Sequence, residues 1–571
     1  MTKYIVVAGG VISGVGKGIT TASIGKILKD YGYKVTAIKI DPYLNYDAGT
    51  LRPTEHGEVW VTDDGGEIDQ DLGNYERFLG MDIPKKNNIT SGQIYKTVID
   101  KERKGEFLGK TVQFIPHIPG EILRRIKDAS NGFDFALIEI GGTIGDFENI
   151  AFLFAMKRLE REIGKENVIY ILVTYLPIPG HMGEMKTKPT QQAIRMLSEN
   201  GIFPDFIICR SKKPLDDVRK KKIETYANIP SAYVISEPDI DTVYRIPLDL
   251  ENENLGLKIL SEFRMKLEKK PTFKELEKIV GRIIKPKKRI KIAMVGKYVD
   301  IGNFTLKDSY ISINESLIHA GASLDVGVDI DWIDAKKLEK GSNAAKLLKP
   351  YKGIIIPGGF GASGVEGKIS AIKYARENNI PFLGLCYGLQ LAVVEFARNV
   401  AKLEGANTTE NDKNTKYPVI DILPTQKEIL GKSEYGGTMR LGAYAAKLEK
   451  GSKVYGLYKD TGRIKEDKEK IEKLKADKTQ SFRLGQLSGG DVVLERHRHR
   501  YEVNPAFIDQ LHQKGLLFSG HHIREDSTKL MEFIELPKHP FFIATQAHPE
   551  FKSRLEKPAP LFYGFVRAAA K

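Results

Sequence analysis

The sequence has few of the residues expected in a secreted disulfide protein or a membrane protein. Of its 571 residues two are cysteine, Cys209 and Cys386, and their separation argues against a disulfide framework while leaving room for one reactive thiol. The longest apolar stretches, such as residues 168–176, fall well short of the ~20 residues that a membrane helix needs. The chain runs from Met1 straight into a strand-like segment, without the ordered regions of a secretory signal. We therefore expect a cytoplasmic protein with no membrane segment.

The composition is that of a soluble globular protein. Hydrophobic residues make up 41% of the chain, charged residues 28%, and there are 54 glycines, which excludes disordered, collagen-like and disulfide-scaffold classes. A chain of this length predicts about two to four domains, and we expect two large ones. The net charge of +14 suits anionic partners such as nucleotides, nucleic acids or acidic lipids, without choosing among them.

Two series of short strand-like runs alternate with helix-like segments. The first series comprises residues 4–8, 34–40, 134–140, 168–176 and 205–209, and the second comprises residues 290–295, 353–359 and 381–386. Such alternation predicts α/β domains with mostly parallel sheets that are covered on both faces.

A Lys/Glu-rich stretch with two prolines separates the two series. It is typical of a connection between domains, and an exposed helix within one domain is the alternative. We predict an N-terminal domain over residues 1–265, a linker over 266–289 and a C-terminal domain over 290–571. In residues 459–478, opposite charges three or four positions apart predict a solvated helix or a mobile excursion.

A glycine-rich run near the N-terminus is typical of a phosphate-binding loop. It extends from Gly9 to Gly18, between a strand-like run and the helix-like residues 19–28. Backbone N–H groups and the helix N-terminus favour phosphate oxygens there, and Lys17 supplies charge for the distal phosphates. The run departs from the strict pattern, because Val11 replaces a glycine and Gly18 replaces a metal-binding serine or threonine. The strand, lysine and helix together disfavour the alternative, a turn without a ligand.

A metal ion beside this loop then requires carboxylates from elsewhere in the chain. Asp71 ends the acidic run 63–71, and Glu139 lies near the end of the apolar run 135–140. P-loop enzymes hold Mg²⁺ near the phosphates at the carboxyl edge of the sheet, and a buried ionised group needs a partner. The sequence therefore predicts Asp71 and Glu139 as Mg²⁺ ligands, with an acidic surface loop as the alternative for Asp71.

Cys386 has the surroundings of a catalytic nucleophile. It lies between an apolar strand-like run and the helix-like residues 389–397, which predicts a sharp turn where helix-terminal N–H groups stabilise a thiolate. Far downstream, His548 offers a base and Glu550 an acid, and residues two apart in an extended segment face the same side. The three residues predict acyl transfer through a thioester. A buried structural cysteine is the alternative.

Two further motifs accompany the thiol. Residues 358–361, Gly-Gly-Phe-Gly, offer backbone N–H donors suited to an oxyanion. In residues 495–501, arginines alternate with His497 and His499 and would repel a cation. We therefore predict that these arginines recognise an anion or a substrate carboxylate.

In this order, the motifs resemble the CTP synthase family over nearly the whole chain. The matching runs are residues 16–18, 40–45, 56–58, 71–77, 141–146, 186–191, 358–361, 436–442, 496–504 and 548–551. The cysteine turn and the final histidine motif alone would indicate only a class I glutamine amidotransferase.

The resemblance implies two tandem three-layer α/β domains: an N-terminal P-loop synthetase domain with a parallel sheet like that of dethiobiotin synthetase, and a C-terminal class I glutaminase domain. It implies a ligase of pyrimidine biosynthesis that aminates UTP to CTP, with Mg²⁺ as cofactor, ATP as co-substrate and glutamine or ammonia as nitrogen donor. ATP would phosphorylate O4 of UTP, and ammonia from the glutaminase would displace the phosphate after a protected passage. Feedback inhibition by CTP, activation by GTP and a homotetramer promoted by nucleotides are also implied.

The family's functional residues carry over onto matching positions. The catalytic groups fall on Lys17, Lys39, Cys386, His548 and Glu550. ATP contacts fall on Gly14, Val15, Gly16, Lys17, Gly18, Ile19, Asp71 and Ile240, with Mg²⁺ on Asp71 and Glu139. UTP or CTP contacts fall on Ser13, Asp146, Phe147, Glu148, Lys186, Thr187, Lys188, Pro189, Thr190, Gln191 and Lys222. Glutamine contacts fall on Gly359, Tyr387, Gly388, Leu389, Gln390, Glu410 and Arg500, and His56 resembles the residue at the exit of the ammonia route.

Three positions depart from the family's pattern. Tyr387 stands where many relatives carry leucine, which is conservative if only its backbone N–H contributes. Ser363 stands where relatives often carry an arginine near the region that GTP is thought to influence. Pro238 replaces a frequent basic residue in the adenine-contact region.

Two other classes of function share some of these motifs. One is an ATP-dependent amidotransferase that acts on a carboxylate such as a corrinoid precursor, and the run 186–191 argues against it. The other is a P-loop switch with an inert second domain, which the intact Cys386, His548 and Glu550 disfavour. The sequence contains no aromatic and basic recognition module, so we expect no nucleic-acid partner.

Overall fold

A computed structural model describes most of the chain. The described residues are 1–52, 56–180, 183–296, 300–301, 304–305, 307–339, 344–359, 361, 363–422, 439–487 and 490–571. Phe360 and the run 436–438, which belong to two of the sequence motifs, lie outside them. The chain divides into two compact units. One contains Met1–Thr50 and Ile68–Val280, and the other Leu51–Glu67 and Gly281–Lys571, so a short stretch of the N-terminal half groups with the C-terminal half.

The strands are numbered in chain order. They are β1 Lys3–Gly9, β2 Val35–Asp41, β3 Val59–Val61, β4 Glu67–Asp69, β5 Asn88–Thr90, β6 Phe135–Ile140, β7 Val168–Tyr175, β8 Phe206–Ser211, β9 Val234–Pro238, β10 Lys288–Gly296, β11 Asp300–Ile301, β12 Phe304–Thr305, β13 Val326–Asp334, β14 Gly353–Ile356, β15 Phe382–Leu385, β16 Asn407–Thr408, β17 Pro418–Ile422, β18 Arg440–Leu448, β19 Val492–His499, β20 Tyr501–Val503, β21 Leu517–Ile523, β22 Lys529–Glu535 and β23 Phe542–Thr545.

The α-helices are numbered in the same way. They are α1 Lys17–Asp30, α2 Asp71–Leu79, α3 Ser91–Arg103, α4 Phe114–Ser130, α5 Ile150–Ile163, α6 Lys188–Glu199, α7 Asp217–Ala227, α8 Ile246–Asn252, α9 Leu255–Glu262, α10 Lys274–Ile284, α11 Ile311–Leu324, α12 Ala344–Leu348, α13 Val365–Glu377, α14 Tyr387–Asn399, α15 Lys453–Asp460, α16 Arg463–Ala476, α17 Ile508–Gln513 and α18 Pro560–Ala569. Within the described part of the chain, none of them is long and apolar enough to cross a membrane.

The first unit is built on a seven-stranded parallel sheet. The strand order is β5-β2-β6-β1-β7-β8-β9. β1 and β6 are almost wholly buried because they carry apolar residues on both faces, as central parallel strands require. The strands predicted from the sequence for this unit are confirmed, with ends that differ by about two residues or fewer. Since the carboxyl ends of parallel strands share one edge, the glycine-rich loop, Asp41 and Glu139 all lie there.

The second unit contains a nine-stranded mixed sheet. Its order is β13-β10-β14-β15-β23-β22-β21-β18-β19, with parallel pairing from β13 to β23 and antiparallel pairing beyond. Two apolar clusters cover its faces: Ile292 and Met294 of β10 belong to one, and Ala293 and Val295 to the other. The predicted α/β architecture is therefore confirmed in both units, while the antiparallel extension was not predicted.

The charged stretch 459–478 contains the helix that the sequence predicts, with most of its residues exposed, but one face of that helix is buried. In α16, Arg463 and Asp467 are buried and form an ion pair with 3.0 Å between Nε and Oδ1. Both side chains also form hydrogen bonds with the backbone of Leu494 in β19. Arg463 Nη2 donates to the Leu494 carbonyl at 2.9 Å, and the Leu494 N–H donates to Asp467 Oδ2 at 2.8 Å. The charge spacing identified the helix but not this buried polar face.

Candidate functional site

The glycine-rich loop of the first unit ends at the start of α1. Gly14 and Gly16 have φ values of 71° and 87°, a left-handed conformation that glycine adopts without strain. Lys17 is the first residue of α1 and is buried, and its Nζ donates to the carbonyl of Gly142 at 2.7 Å. Burial lowers the pKa of Lys17, and Glu139 opposes that effect only in part. A bound phosphate would supply the negative charge that stabilises this buried ammonium group.

A second buried lysine lies between the two predicted metal ligands. Lys39 of β2 donates to Asp71, and its Nζ is 3.2 Å from Glu139 Oε1 and 3.7 Å from Asp41 Oδ1. Burial alone would lower the pKa of Lys39, but Asp71 and Glu139 raise it well above its usual value. For Glu139, burial dominates and raises the pKa. The Lys39 ammonium group therefore stays charged at neutral pH, and it interacts with Asp71, Glu139 and Asp41 at the same time.

The position of Asp71 explains why Gly18 has no hydroxyl. A Cβ at Gly18 would collide with the Asp71 carboxylate, which occupies the space of the usual serine or threonine side chain. Asp71 is the first residue of α2 and does not lie in an acidic surface loop, which was the alternative interpretation. Asp71 and Glu139 provide an all-oxygen set suited to Mg²⁺, which commonly takes one or two carboxylates and completes its shell with phosphate and water. In the described ranges, no three metal-ligating side chains converge, so such an ion would depend on the nucleotide's oxygens.

Substituting Gly18 tests this arrangement. Gly18→Ala places a methyl group against a carboxylate that Lys39 holds in place, so the KM for Mg-ATP is expected to rise about tenfold or more in an ammonia-dependent assay. Gly281→Ala serves as the control, because a Cβ on that glycine meets nothing within 4 Å. An unchanged KM for Mg-ATP in Gly18→Ala would remove Asp71 from the metal site.

Four of the residues predicted to bind the pyrimidine nucleotide have three different surroundings. Asp146 accepts bonds from the Thr143 N–H at 2.5 Å and its hydroxyl at 2.8 Å, and its charge acts on Lys17, so it belongs to the phosphate-loop region. Gln191 and Lys222 line one cavity of about 710 Å³. Thr190 is fully buried and its hydroxyl lies 3.1 Å from that of Thr174, a contact that fixes α6 to β7.

The remaining residues of that set lie mostly at the surface of the unit. Ser13, Glu148 and Lys188 are exposed, Phe147 is 83% exposed, and Lys186 pairs with Glu184 at 2.8 Å. Thr187 and Pro189 flank the first residue of α6, with the proline at a position that needs no N–H donor.

Sequence reasoning missed Arg210 beside the phosphate loop. It lies near the end of β8, and its Nη1 is 3.4 Å from the carbonyl of Val15. Its Nε is 3.2 Å from Glu237, whose pKa burial raises to about 7, and its Nη2 is 3.6 Å from Asp239. The predicted adenine contact, Ile240, follows Asp239 on the same loop. A charged residue closing the apolar run of β8 was the signal that could have revealed Arg210.

In the second unit, Cys386 occupies a strained turn between β15 and α14. Its φ of 50° and ψ of −101° are unusual for a residue with a side chain, and it directly precedes the helix N-terminus. Its backbone N–H donates to the carbonyl of Thr545 at 2.7 Å, and its Sγ lies 3.8 Å from Gln546 Nε2. This is the predicted sharp turn between strand and helix.

His548 and Glu550 meet near this thiol, but not through an extended segment as the sequence suggested. Residues Pro549–Lys552 form a 3-10 turn, and the turn brings Nδ1 of His548 to 2.7 Å from Oε1 of Glu550. Burial alone would lower the pKa of His548, but Glu550 and the Cys386 sulfur raise it to about 10. The imidazole is therefore protonated at neutral pH.

The predicted glutamine-binding residues surround this turn. Gln390 of α14 is buried and donates from Nε2 to the carbonyl of Tyr501 at 3.1 Å, and Glu410 accepts from the N–H of Gly361 at 2.8 Å. That N–H is therefore engaged and is not available to an oxyanion. The charges of Glu410 and Arg500 both act on the Tyr501 phenol, which places them in one neighbourhood. Gly359 lies in the loop after β14, and Gly388 and Leu389 lie in the first turn of α14, in the same unit.

The tyrosine that departs from the family's pattern uses its side chain as well as its backbone. The hydroxyl of Tyr387 donates to Asn411 Oδ1 at 3.0 Å, and Lys368 Nζ lies 5.1 Å from the ring centroid. A leucine at this position would lose both contacts.

Two of the arginines predicted to recognise an anion bind acidic side chains of the protein itself. Arg496 Nε is 2.6 Å from Asp63 Oδ1, and Arg498 Nε is 2.7 Å from Glu67 Oε1. The prediction is therefore wrong for the fully buried Arg496, whereas Arg498 also lines the cavity beside Cys386. His497 and His499 point to the opposite face of β19, and burial lowers the pKa of both well below its usual value.

Replacing Glu550 tests the source of the imidazole's charge. Glu550→Gln removes the largest group that raises the pKa of His548, so the alkaline limb of kcat/KM for glutamine hydrolysis should move at least about one pH unit below its wild-type position. In the wild type, activity is expected to fall as the pH rises through the pKa of His548, because the imidazolium gives up its proton. Glu556→Gln, an exposed carboxylate in the same C-terminal segment, is the control. Coincident alkaline limbs in Glu550→Gln and wild type would contradict the assignment.

These two sites define an ATP-dependent ligase that carries its own glutaminase. Comparison with known protein families agrees with both the ligase and the glutaminase assignment. The family model described as CTP synthase N-terminus matches residues 3–265, and that described as glutamine amidotransferase class-I matches residues 305–568.

Relatives that match over nearly the whole length show to which family the chain belongs. A CTP synthase of Pyrococcus furiosus is 51% identical over 100% of this chain and 98% of its own length, and one of Methanocaldococcus jannaschii is 51% identical over 99% and 98%. Among solved structures, the glutaminase domain of Trypanosoma brucei CTPS with bound acivicin is 34% identical, with a TM-score of 0.41 over 49% of this chain and 94% of its own. The chain belongs to the CTP synthase family. It is therefore a ligase of pyrimidine biosynthesis with glutamine as amido donor, and ATP, UTP and Mg²⁺ are its family's substrates and metal.

Proposed function

We propose that the protein makes CTP by two coupled reactions, a glutaminase reaction in the second unit and a phosphoryl transfer followed by amination in the first. The observation that carries the proposal is the strained Cys386 turn beside a His548–Glu550 pair 2.7 Å apart, in a chain that also holds a phosphate loop with a buried lysine. A chain that only bound ATP as a switch would have no use for such a thiol.

The glutaminase reaction begins with the Cys386 thiolate. It attacks the side-chain amide carbon of glutamine, and the His548 imidazolium gives its proton to the departing nitrogen, which leaves as ammonia. Glu550 keeps the imidazole oriented through Nδ1, so the proton to be donated is on Nε2. Water then cleaves the thioester and releases glutamate, with His548 as the base.

The synthetase reaction activates O4 of UTP. This oxygen attacks the γ-phosphorus of ATP, and ADP leaves. Ammonia then attacks C4, and phosphate departs with the former O4, which leaves CTP. Lys17 and Lys39 are the cations placed to offset the charge on the transferred group, and Asp71 and Glu139 are the residues that would hold Mg²⁺. An ion held there would supply positive charge that offsets the negative charge of the phosphates.

Ammonia must pass through the protein, because ammonia released into water is largely protonated and loses its nucleophilic lone pair. A cavity of about 120 Å³ adjoins the thiol and is lined by Cys386, His548, Glu58, Val59 and Arg498. We propose this cavity as the start of the route, with His56 of the same segment towards its exit.

Regulation and assembly complete the proposal. CTP inhibits by occupying the triphosphate positions of UTP, where Lys186, Lys188 and Lys222 provide charge, and nucleotides promote a homotetramer. GTP activates glutamine hydrolysis, and its effect is weakened by Ser363 in place of an arginine. The protein works in the cytoplasm.

The decisive assay measures CTP formation from UTP, ATP and Mg²⁺ with glutamine or ammonium chloride as nitrogen source, with and without GTP. CTP from both sources is the expected result, with GTP accelerating only the reaction with glutamine. CTP from neither source would reject the proposal in favour of ATP-dependent amidation of another acceptor, such as a carboxylate. CTP formation from ammonium chloride but not from glutamine would reject the proposed glutaminase reaction.

A further inference from the structure

A segment from the N-terminal half of the sequence is part of the glutaminase unit. Its described residues, 51, 52 and 56–67, group with the second unit, although the N-terminal family model includes them. Trp60 of β3 is fully buried there, and the N–H of Ala443 on β18 donates to the carbonyl of Asp63 at 2.9 Å. The segment therefore belongs to the packing of the glutaminase and is not a surface attachment.

Trp60 supports the catalytic histidine through an aromatic stack. Its ring centroid lies 5.1 Å from that of Phe551, and the Phe551 ring stacks on the His548 imidazole at 5.2 Å with an interplanar angle of 20°. One face of the imidazole is thus covered by a ring whose own position depends on Trp60.

Asp63 supports the same histidine through Arg496. The guanidinium is fully buried and donates to Asp63 at 2.6 Å and to the carbonyl of Phe551 at 3.2 Å. The backbone carbonyl of Arg496 accepts the N–H of His548 at 2.7 Å. A buried guanidinium needs its carboxylate partner to keep its geometry, so Asp63 fixes the residue that holds both His548 and Phe551.

Glu67 acts in the same way on the nucleophile's side of the site. It pairs with Arg498, whose backbone carbonyl lies 3.9 Å from Cys386 Sγ. Arg496 and Arg498 are two residues apart and therefore share one face of β19. The segment thus forms ion pairs with this strand at two positions, one next to His548 and one next to Cys386.

We propose that Asp63 and Glu67, together with Trp60, are positioning residues of the glutaminase: they set the distance between Cys386 and His548 through Arg496, Arg498 and Phe551. The proposal rests on the proposed function of those two groups in glutamine hydrolysis. None of the three lines the cavity beside Cys386 and His548, so their effect is expected on the chemical step and not on glutamine binding.

The test is Asp63→Asn, which keeps the size of the side chain and removes the charge that holds Arg496. The kcat for glutamine-dependent CTP formation is expected to fall about tenfold, with KM for glutamine within about twofold of wild type, because small misplacements of reacting groups act on kcat. CTP formation from ammonium chloride should stay unchanged. Asp63→Glu should recover at least half of the lost rate, since it restores a carboxylate.

Asp64→Asn is the matched control. The neighbouring Asp64 accepts a bond from the Thr62 hydroxyl, at 2.6 Å, and should leave both activities as in wild type. An unchanged kcat for glutamine-dependent CTP formation in Asp63→Asn would overturn the proposal. Equal losses of CTP formation from glutamine and from ammonium chloride would also overturn it, as would a change that raises only the KM for glutamine. If wild type itself makes no CTP from glutamine, the proposed function fails instead, and the two failures are distinct.

Discussion

Replacing Cys386 with alanine is expected to abolish CTP formation from glutamine while leaving formation from ammonium chloride within about twofold of wild type. The thiol is the only group at the turn between β15 and α14 able to form the thioester, so glutamine-dependent kcat should fall by at least about 10³-fold. Externally added ammonia needs no thioester, and the residues of the phosphate loop belong to a different unit. The measurement is CTP formation with each nitrogen source in the same preparation.

The second cysteine provides the control for this substitution. Cys209 lies fully buried in β8, and burial raises the pKa of its thiol, so it has no reactive character. Cys209→Ala should retain glutamine-dependent activity. Glutamine-dependent turnover in Cys386→Ala would refute the thiol assignment, and loss of the ammonia reaction in that variant would mean that the substitution had damaged the whole protein.

The sequence was sufficient for the parallel part of the fold because its signals are local. Runs such as residues 135–140 are apolar at every position, which in a chain of alternating strands and helices indicates a strand buried on both faces. The turn at Cys386 was predictable for the same reason: an apolar strand, the run 384–388 (Gly-Leu-Cys-Tyr-Gly) and a helix follow one another within a few residues.

The antiparallel part of the second sheet and the use of its arginines depend on contacts that are distant in sequence. β19 carries arginine or histidine at every position of its second half, so periodicity gave no apolar face to identify. The partners of Arg496 and Arg498 are Asp63 and Glu67, more than 400 residues away along the chain. Spacing within one motif therefore suggested ligand binding, where the structure shows internal ion pairs.

The meeting of His548 and Glu550 shows a correct pairing reached by the wrong geometry. Two residues apart, they would share one face of a strand, and the structure instead brings them together across a 3-10 turn that begins at Pro549. A proline directly after the histidine is compatible with both conformations, so the sequence could not decide between them.

Replacing Lys17 with alanine is expected to abolish CTP formation from both nitrogen sources, by at least about 10²-fold, because it removes the charge that we propose faces the distal phosphates of ATP. The same variant should still hydrolyse glutamine, since the thiol and its histidine lie in the other unit. This pattern is the reverse of that of Cys386→Ala, so the two variants together assign each step to one unit. Lys26→Ala, on the same helix but paired with Asp30, is the control and should keep both activities. Normal ammonia-dependent turnover in Lys17→Ala would exclude the phosphate-binding role of the loop, whereas loss of glutamine hydrolysis as well would show that phosphate binding also governs the thiol.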